Sequence, residues 1–154
     1  MEQEKQKFNV DIHKSLCFAL YSTSRYMTQL YRHYLKALDV TYPQFLVLIL
    51  LWQNKEMSVQ EIGHQLSLDS GTLTPLLKRL EIKKLLTRDR CVADERVLLI
   101  RLTKKGLSLE QKVLELPGAL MCDMNMTLEE MFPLVDKINK VKSSLIKSLE
   151  YLEH

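Results

Sequence analysis

The sequence predicts a mainly α-helical chain on three observations. Apolar residues recur at helical spacing along almost the whole length, glycine and proline number only four each, and a single short region alternates as strands do. With 154 residues, the chain is long enough for one domain with its own core. Its apolar share of 46% and charged share of 27% are those of a folded globular protein, not a disordered one. The longest unbroken apolar run, "FLVLILLW" at 45–52, falls far short of the roughly 20 residues a membrane span needs. The opening "MEQEKQKFNV" is charged and lacks the apolar segment of a secretory signal. A cytoplasmic protein with no membrane partner is therefore expected. Three widely spaced cysteines, Cys17, Cys91 and Cys122, make neither a disulfide framework nor a zinc spacing, so no metal and no cofactor is expected.

The elements follow in order. A first long helix is expected over 10–37, ending before "LDVTYP", where Thr41 and Pro43 open a second helix through "QFLVLILLWQ". Ser58 and Glu61 have the spacing of a capping box, which starts a short helix carrying Ile62 and Leu66 inward. After "SLDSG", Asp69 or Ser70 caps the next helix, on which Leu73, Leu76, Leu77 and Leu80 form one apolar stripe. At 100° per residue, Thr72, Thr74, Pro75, Lys78 and Arg79 fall on the opposite face, and Ser70 stands at its start. Pro75 forfeits one helical hydrogen bond, which is cheapest near the first turn.

Two short helices joined by a tight polar turn outline a helix-turn-helix. Taken alone, the second could be an ordinary amphipathic helix with a solvated face, but the next segment decides against that. "LLTRDRCVADERVLLIRLT" reads as strand, loop, strand, with Leu98, Ile100 and Leu102 alternating inward and Arg88, Arg90, Asp94 and Arg96 in or beside the loop. Net charge is only +3, yet between Lys78 and Lys105 lysine and arginine outnumber the acids more than two to one. A helix-turn-helix followed directly by a basic hairpin describes a winged-helix reader of double-stranded DNA. Asp94 can brace the Arg96 guanidinium as it reaches into a minor groove.

Thr103 and Gly106 in "LTKKG" then lead into a helix through about Leu116, where "LPG" breaks or bends it. The last helix should begin near Thr127, with Glu130 completing a second capping box, although Pro133 could move that start. Met131, Ile138, Leu145 and Leu152 stand seven apart, with Leu134, Val141 and Leu149 between them. Such a stripe near a terminus is more often an interface than a monomer core, so residues 10–37 and 104–152 are expected to build a homodimer around a winged region at 43–103.

The winged core, the flanking helices, "LDSGTLTPLLKRLE", "DER" in the wing and "LTKKG" after it resemble the multiple antibiotic resistance regulator (MarR) family across nearly the whole chain. "LCFALYSTSR", "TYPQF" and "LPG" are similar to the organic hydroperoxide resistance regulators within it. The resemblance implies a single-domain, dimeric repressor that binds a palindromic operator and lets go when an N-terminal cysteine is oxidised. On that pattern Cys17 matches the sensing cysteine, Tyr21 and Tyr31 the tyrosines that contact it, Arg96 the wing arginine and Asp94 its partner. Cys122 sits where a two-cysteine subgroup carries its second thiol, though it could equally be a packing residue beside an external thiol.

The residues can be weighed apart from the resemblance. A cysteine on an apolar helix face is usually an inert small hydrophobe, and tyrosines there are usually core. Tyr21, however, lies one turn from Cys17 on the same face, within reach of a thiolate. Tyr31 lies fourteen residues on, roughly 21 Å along a helix, so it could meet only the Cys17 of a partner chain. Leu16, Phe18 and Leu20 suit an organic hydroperoxide as oxidant. The rival readings are a repressor released by a small phenolic ligand, in which Cys17 is structural, and a thiol peroxidase, which would leave the basic wing without purpose.

Overall fold

The computed structural model describes residues 11–152. The expected start of the first helix at Val10 lies outside them. The chain divides into two compact units, one ending at Glu110 and one beginning at Gln111.

In the first unit, a 3-10 turn over Ile12–Lys14 precedes α1, Leu16–Leu35. Ser15 ends the turn in extended geometry and caps α1, its hydroxyl accepting the Phe18 N–H at 3.4 Å. The helix thus starts at Leu16 and not at Val10, because a cap needs an extended backbone that a continuous helix lacks. Thr41 precedes α2, Tyr42–Asn54, and its N–H donates to the buried Gln44 side chain at 2.9 Å. The expected boxes form: Ser58 N–H donates to Glu61 at 2.7 Å ahead of α3, Val59–Leu66, and Asp69 caps α4, Ser70–Ile82. Pro75 stands in the second turn of α4, where it costs a single hydrogen bond.

Three strands complete the unit. β1, Glu56–Ser58, and β2, Leu86–Arg90, flank β3, Leu98–Leu102, in an antiparallel sheet that sets Met57 opposite Ile100 and Arg90 opposite Leu98. The core comprises Leu35, Val47, Leu48, Leu51, Ile62, Leu73, Leu77, Leu80, Leu86 and Ile100. Of the expected inward strand residues only Ile100 is fully buried, while Leu98 and Leu102 are half-buried. Among the described residues no single helix is long and apolar enough to cross a membrane.

The segment after β3 departs from expectation. The expected helix through Leu116 is a one-turn α5, Lys104–Ser108, followed by a 3-10 turn over Glu110–Val113. Thr103 caps α5, and Gly106 packs so closely that a Cβ there would stand 2.0 Å from the Leu85 carbonyl oxygen. The Trp52 indole N–H donates to the Gly106 carbonyl at 3.1 Å, holding α5 on α2.

In the second unit, "LPG" opens a helix where a break or bend was expected: α6 spans Leu116–Asp123 with Pro117 in its first turn, where a missing N–H costs nothing. α7 spans Leu128–Leu152, its start set by Thr127 and Glu130 as expected, and Pro133 is accommodated inside it. No residue of α7 is buried. Leu134, Ile138, Leu145, Leu149 and Leu152 are all exposed along it.

Candidate DNA-binding face and cysteine site

The outward face of α4 carries Ser70, Thr72, Thr74, Pro75, Lys78 and Arg79, all exposed, over a leucine stripe that is buried throughout. Asp69 organises its first turn. One carboxylate oxygen accepts the Thr72 N–H and the other the Thr72 hydroxyl, both at 2.9 Å. These bonds, the backbone one foremost, hold the Asp69 carboxyl below its ordinary range.

The wing is the loop between β2 and β3. Cys91 N–H closes its base on the Val97 carbonyl at 2.8 Å, and Arg90 donates to the Glu95 carbonyl at 2.9 Å. Asp94 accepts the Arg96 main-chain N–H at 3.0 Å, while its contact to the guanidinium Nε is longer, at 3.8 Å. Asp94 therefore shapes the backbone of the loop more than it holds the arginine, whose side chain is 96% exposed. An open groove lined by Ser58, His64, Ser70, Arg96 and Leu98 joins the wing to the starts of α3 and α4.

Arg88 stands apart from this set. Its Nε and Nη2 converge on Glu81 Oε2 at 2.8 and 2.5 Å, so its charge is used inside the unit to tie β2 to α4. On β3, Arg101 reaches Glu56 at 2.6 Å and Asp89 at 3.6 Å, bracing the three strands. Neither Glu81 nor Arg101 stood out in the sequence. The seven-residue gap between Glu81 and Arg88 spans a helix end and a turn, and becomes a contact only when the chain reverses there.

Cys17 is exposed and occupies the second position of α1, beside the Ser15 cap, whereas a helix over 10–37 would put it in the second or third turn. Tyr21 is one turn on, but its hydroxyl accepts from Arg25 Nη1 at 3.3 Å, and the Arg25 guanidinium lies 5.8 Å from the ring centroid. Within the chain, then, Tyr21 is engaged by Arg25 and not by Cys17. Ahead of the cap, Lys14 pairs with Asp11 at 3.8 Å, and the His13 ring meets Phe18 edge-on at 5.8 Å. Tyr31 stacks on Tyr42 at 4.3 Å and nears Phe45 at 6.1 Å, which fastens α1 to α2. Burial, and next the neighbouring Tyr42, push the Tyr31 hydroxyl pKa above its ordinary value. Cys122 is exposed in the last turn of α6, and its carbonyl accepts the Asn125 N–H at 3.0 Å. Cys122 is thus held within regular helix.

A helix-turn-helix whose second helix exposes a polar and basic face, followed by a basic β-hairpin, defines a winged helix-turn-helix protein. The family described as transcriptional regulator SarA/Rot matches residues 29–113. The chain belongs to this MarR-like, winged-helix family of transcriptional regulators. It is 42% identical over 149 residues to the organic hydroperoxide resistance transcriptional regulator of Bacillus subtilis, covering 96% of this chain and 97% of that one. Reduced AbfR bound to DNA, from a protein of Staphylococcus epidermidis, is 35% identical with a TM-score of 0.72, covering 85% and 91% of the two chains. A cysteine-to-serine mutant of E. coli MarR complexed with operator DNA is 28% identical with a TM-score of 0.72, covering 82% and 92%.

Proposed function

We propose that this chain is a homodimeric, redox-sensing repressor that binds palindromic operator DNA and is released when an organic hydroperoxide oxidises Cys17. The observation that carries the reading is an exposed thiol in the first turn of α1, in a chain that matches over 96% of its length a regulator named for organic hydroperoxide resistance. The Cys17 thiolate attacks the peroxide, the O–O bond breaks, and an alcohol leaves once protonated, giving a sulfenic acid. A second thiol then displaces water to form a disulfide, a role assigned to Cys122.

α4 enters the major groove with Ser70, Thr72, Thr74, Pro75, Lys78 and Arg79, and the wing reaches a minor groove with Arg96. Asp94 and Arg90 hold the wing in shape, and Arg88 acts behind it through Glu81. The exposed apolar side of α7, together with α1, supplies the dimer contact, in which Tyr31 approaches the Cys17 of the partner chain while Tyr21 stands one turn from the Cys17 of its own. A two-fold dimer places its recognition helices one helical repeat apart, which demands an inverted repeat.

Selection from a random pool of DNA duplexes tests this reading. The reduced chain should return an inverted repeat bound by two chains, with Arg96→Ala weakening it by on the order of 1–3 kcal/mol. An asymmetric site bound by one chain would overturn the dimer, and a pool that yields no sequence would overturn the DNA reading.

A further inference from the structure

We propose that Thr72 determines sequence specificity by packing its methyl group against the 5-methyl of a thymine in the major groove. This rests on the DNA reading above. Thr72 is the third residue of α4 and lies on the exposed face opposite the buried leucines. Its hydroxyl donates to Asp69 Oδ2 at 2.9 Å, and its N–H to Asp69 Oδ1 at 2.9 Å. An ionised carboxylate only accepts, so the single hydroxyl hydrogen of Thr72 is committed to Asp69 and cannot be given to a base. Oγ1 keeps its acceptor lone pairs, but it can no longer donate, and the methyl is the group through which Thr72 would tell thymine from uracil.

The surroundings favour an apolar contact. Gly71 places no side chain beside Thr72, and a Cβ there would crowd Asp69 Oδ1 at 3.0 Å and disturb the carboxylate that orients the hydroxyl. Thr74 and Pro75 continue the exposed face with a second methyl and an apolar ring. Among base edges in the major groove, only thymine presents an apolar group. The Asp69 carboxylate also opposes a phosphate at the start of α4, which leaves that turn for base edges.

The test uses the full reduced chain and the duplex it selects from a random pool. Each thymine is replaced in turn by deoxyuridine, which removes the 5-methyl alone. At one position per half-site the exchange should weaken wild-type binding about fourfold, the effect of burying one methyl-sized group. Thr72→Ser keeps the hydroxyl bond to Asp69 but lacks the methyl, and should bind the thymine and uracil duplexes equally. Thr72→Val keeps a methyl without the hydroxyl and should retain the thymine preference. A chain that selects a duplex yet ignores every uracil exchange, or a Thr72→Ser variant that still prefers thymine, overturns this inference alone. A chain that selects no duplex overturns the DNA reading and this inference with it.

Discussion

Replacing Arg88 with methionine should loosen the wing from the recognition helix without altering any outward-facing side chain of α4 or the wing loop. The Arg88 and Glu81 side chains are 24% and 35% exposed, and two guanidinium nitrogens meet one carboxylate oxygen at 2.8 and 2.5 Å. Exposed ion pairs contribute about 0–1 kcal/mol. Removing one partner of a fully buried pair costs about 3–5 kcal/mol, because the other charge is left dry. This pair lies between, and a charge-assisted hydrogen bond is worth about 1.5–3 kcal/mol, so Arg88→Met should cost about 2 kcal/mol. Methionine keeps much of the aliphatic packing, so the loss reports on the charge contact. Urea midpoints for Arg88→Met, Glu81→Gln and the double variant form a cycle with a coupling of about 1 kcal/mol or more. In the Arg88→Met background, Arg96→Ala should also cost less DNA affinity than in the wild type, because a loose wing no longer delivers Arg96. Single-variant effects that add within about 0.5 kcal/mol would show that the two side chains do not act together.

Three further outcomes are expected. Gly106→Ala must displace α5 from the Leu85 carbonyl and strain the Trp52 hydrogen bond; a loss of about 2–4 kcal/mol in urea unfolding is expected, and a variant as stable as the wild type would contradict the close packing. The carboxyls of Glu61, Asp69 and Glu130 are held below their ordinary values first by backbone N–H donors, those of Ser58, Thr72 and Thr127. Their contribution is therefore present above the ordinary carboxylate range and lost as pH falls below about 4, so Glu61→Gln with Glu130→Gln should flatten the acid limb of the urea midpoint against pH, and an unchanged limb would contradict it. The oxidised chain should run as a covalent dimer on a non-reducing gel, with the band lost in Cys122→Ser and kept in Cys91→Ser; the reverse pattern would name Cys91 as the second thiol.

The legible parts of this fold were those written in local chemistry. Ser58 with Glu61, Thr127 with Glu130 and the alternating β3 residues each announce an element within a few positions, and the structure builds all three. The illegible parts are of two kinds. α3, α4 and α6 end on Ser67, Lys84 and Asn125 in the left-handed region, each followed by an N–H that reaches five residues back. No glycine marks those ends, so composition is silent where the backbone turns. β1 exists because Glu56–Ser58 pairs with β3 more than forty residues later, a non-local event that three residues cannot signal. The two faces of α4 were legible because its leucine stripe and its exposed polar side repeat at one helical period. The Arg88–Glu81 contact was not legible, because sequence shows a charge in a basic run and not the carboxylate that meets it.

In the proposed mechanism, oxidation of one thiol releases DNA. The most direct measurement is the affinity of the reduced chain for its selected inverted repeat before and after one equivalent of an organic hydroperoxide, carried out on the wild type and on Cys17→Ser. Serine preserves the size of the side chain and is not oxidised under these conditions. Both proteins should bind equally before treatment, after which the wild type should lose specific binding and Cys17→Ser should keep it. A wild type that holds its DNA after oxidation, or a Cys17→Ser variant that is released all the same, would rule out Cys17 as the sensing thiol.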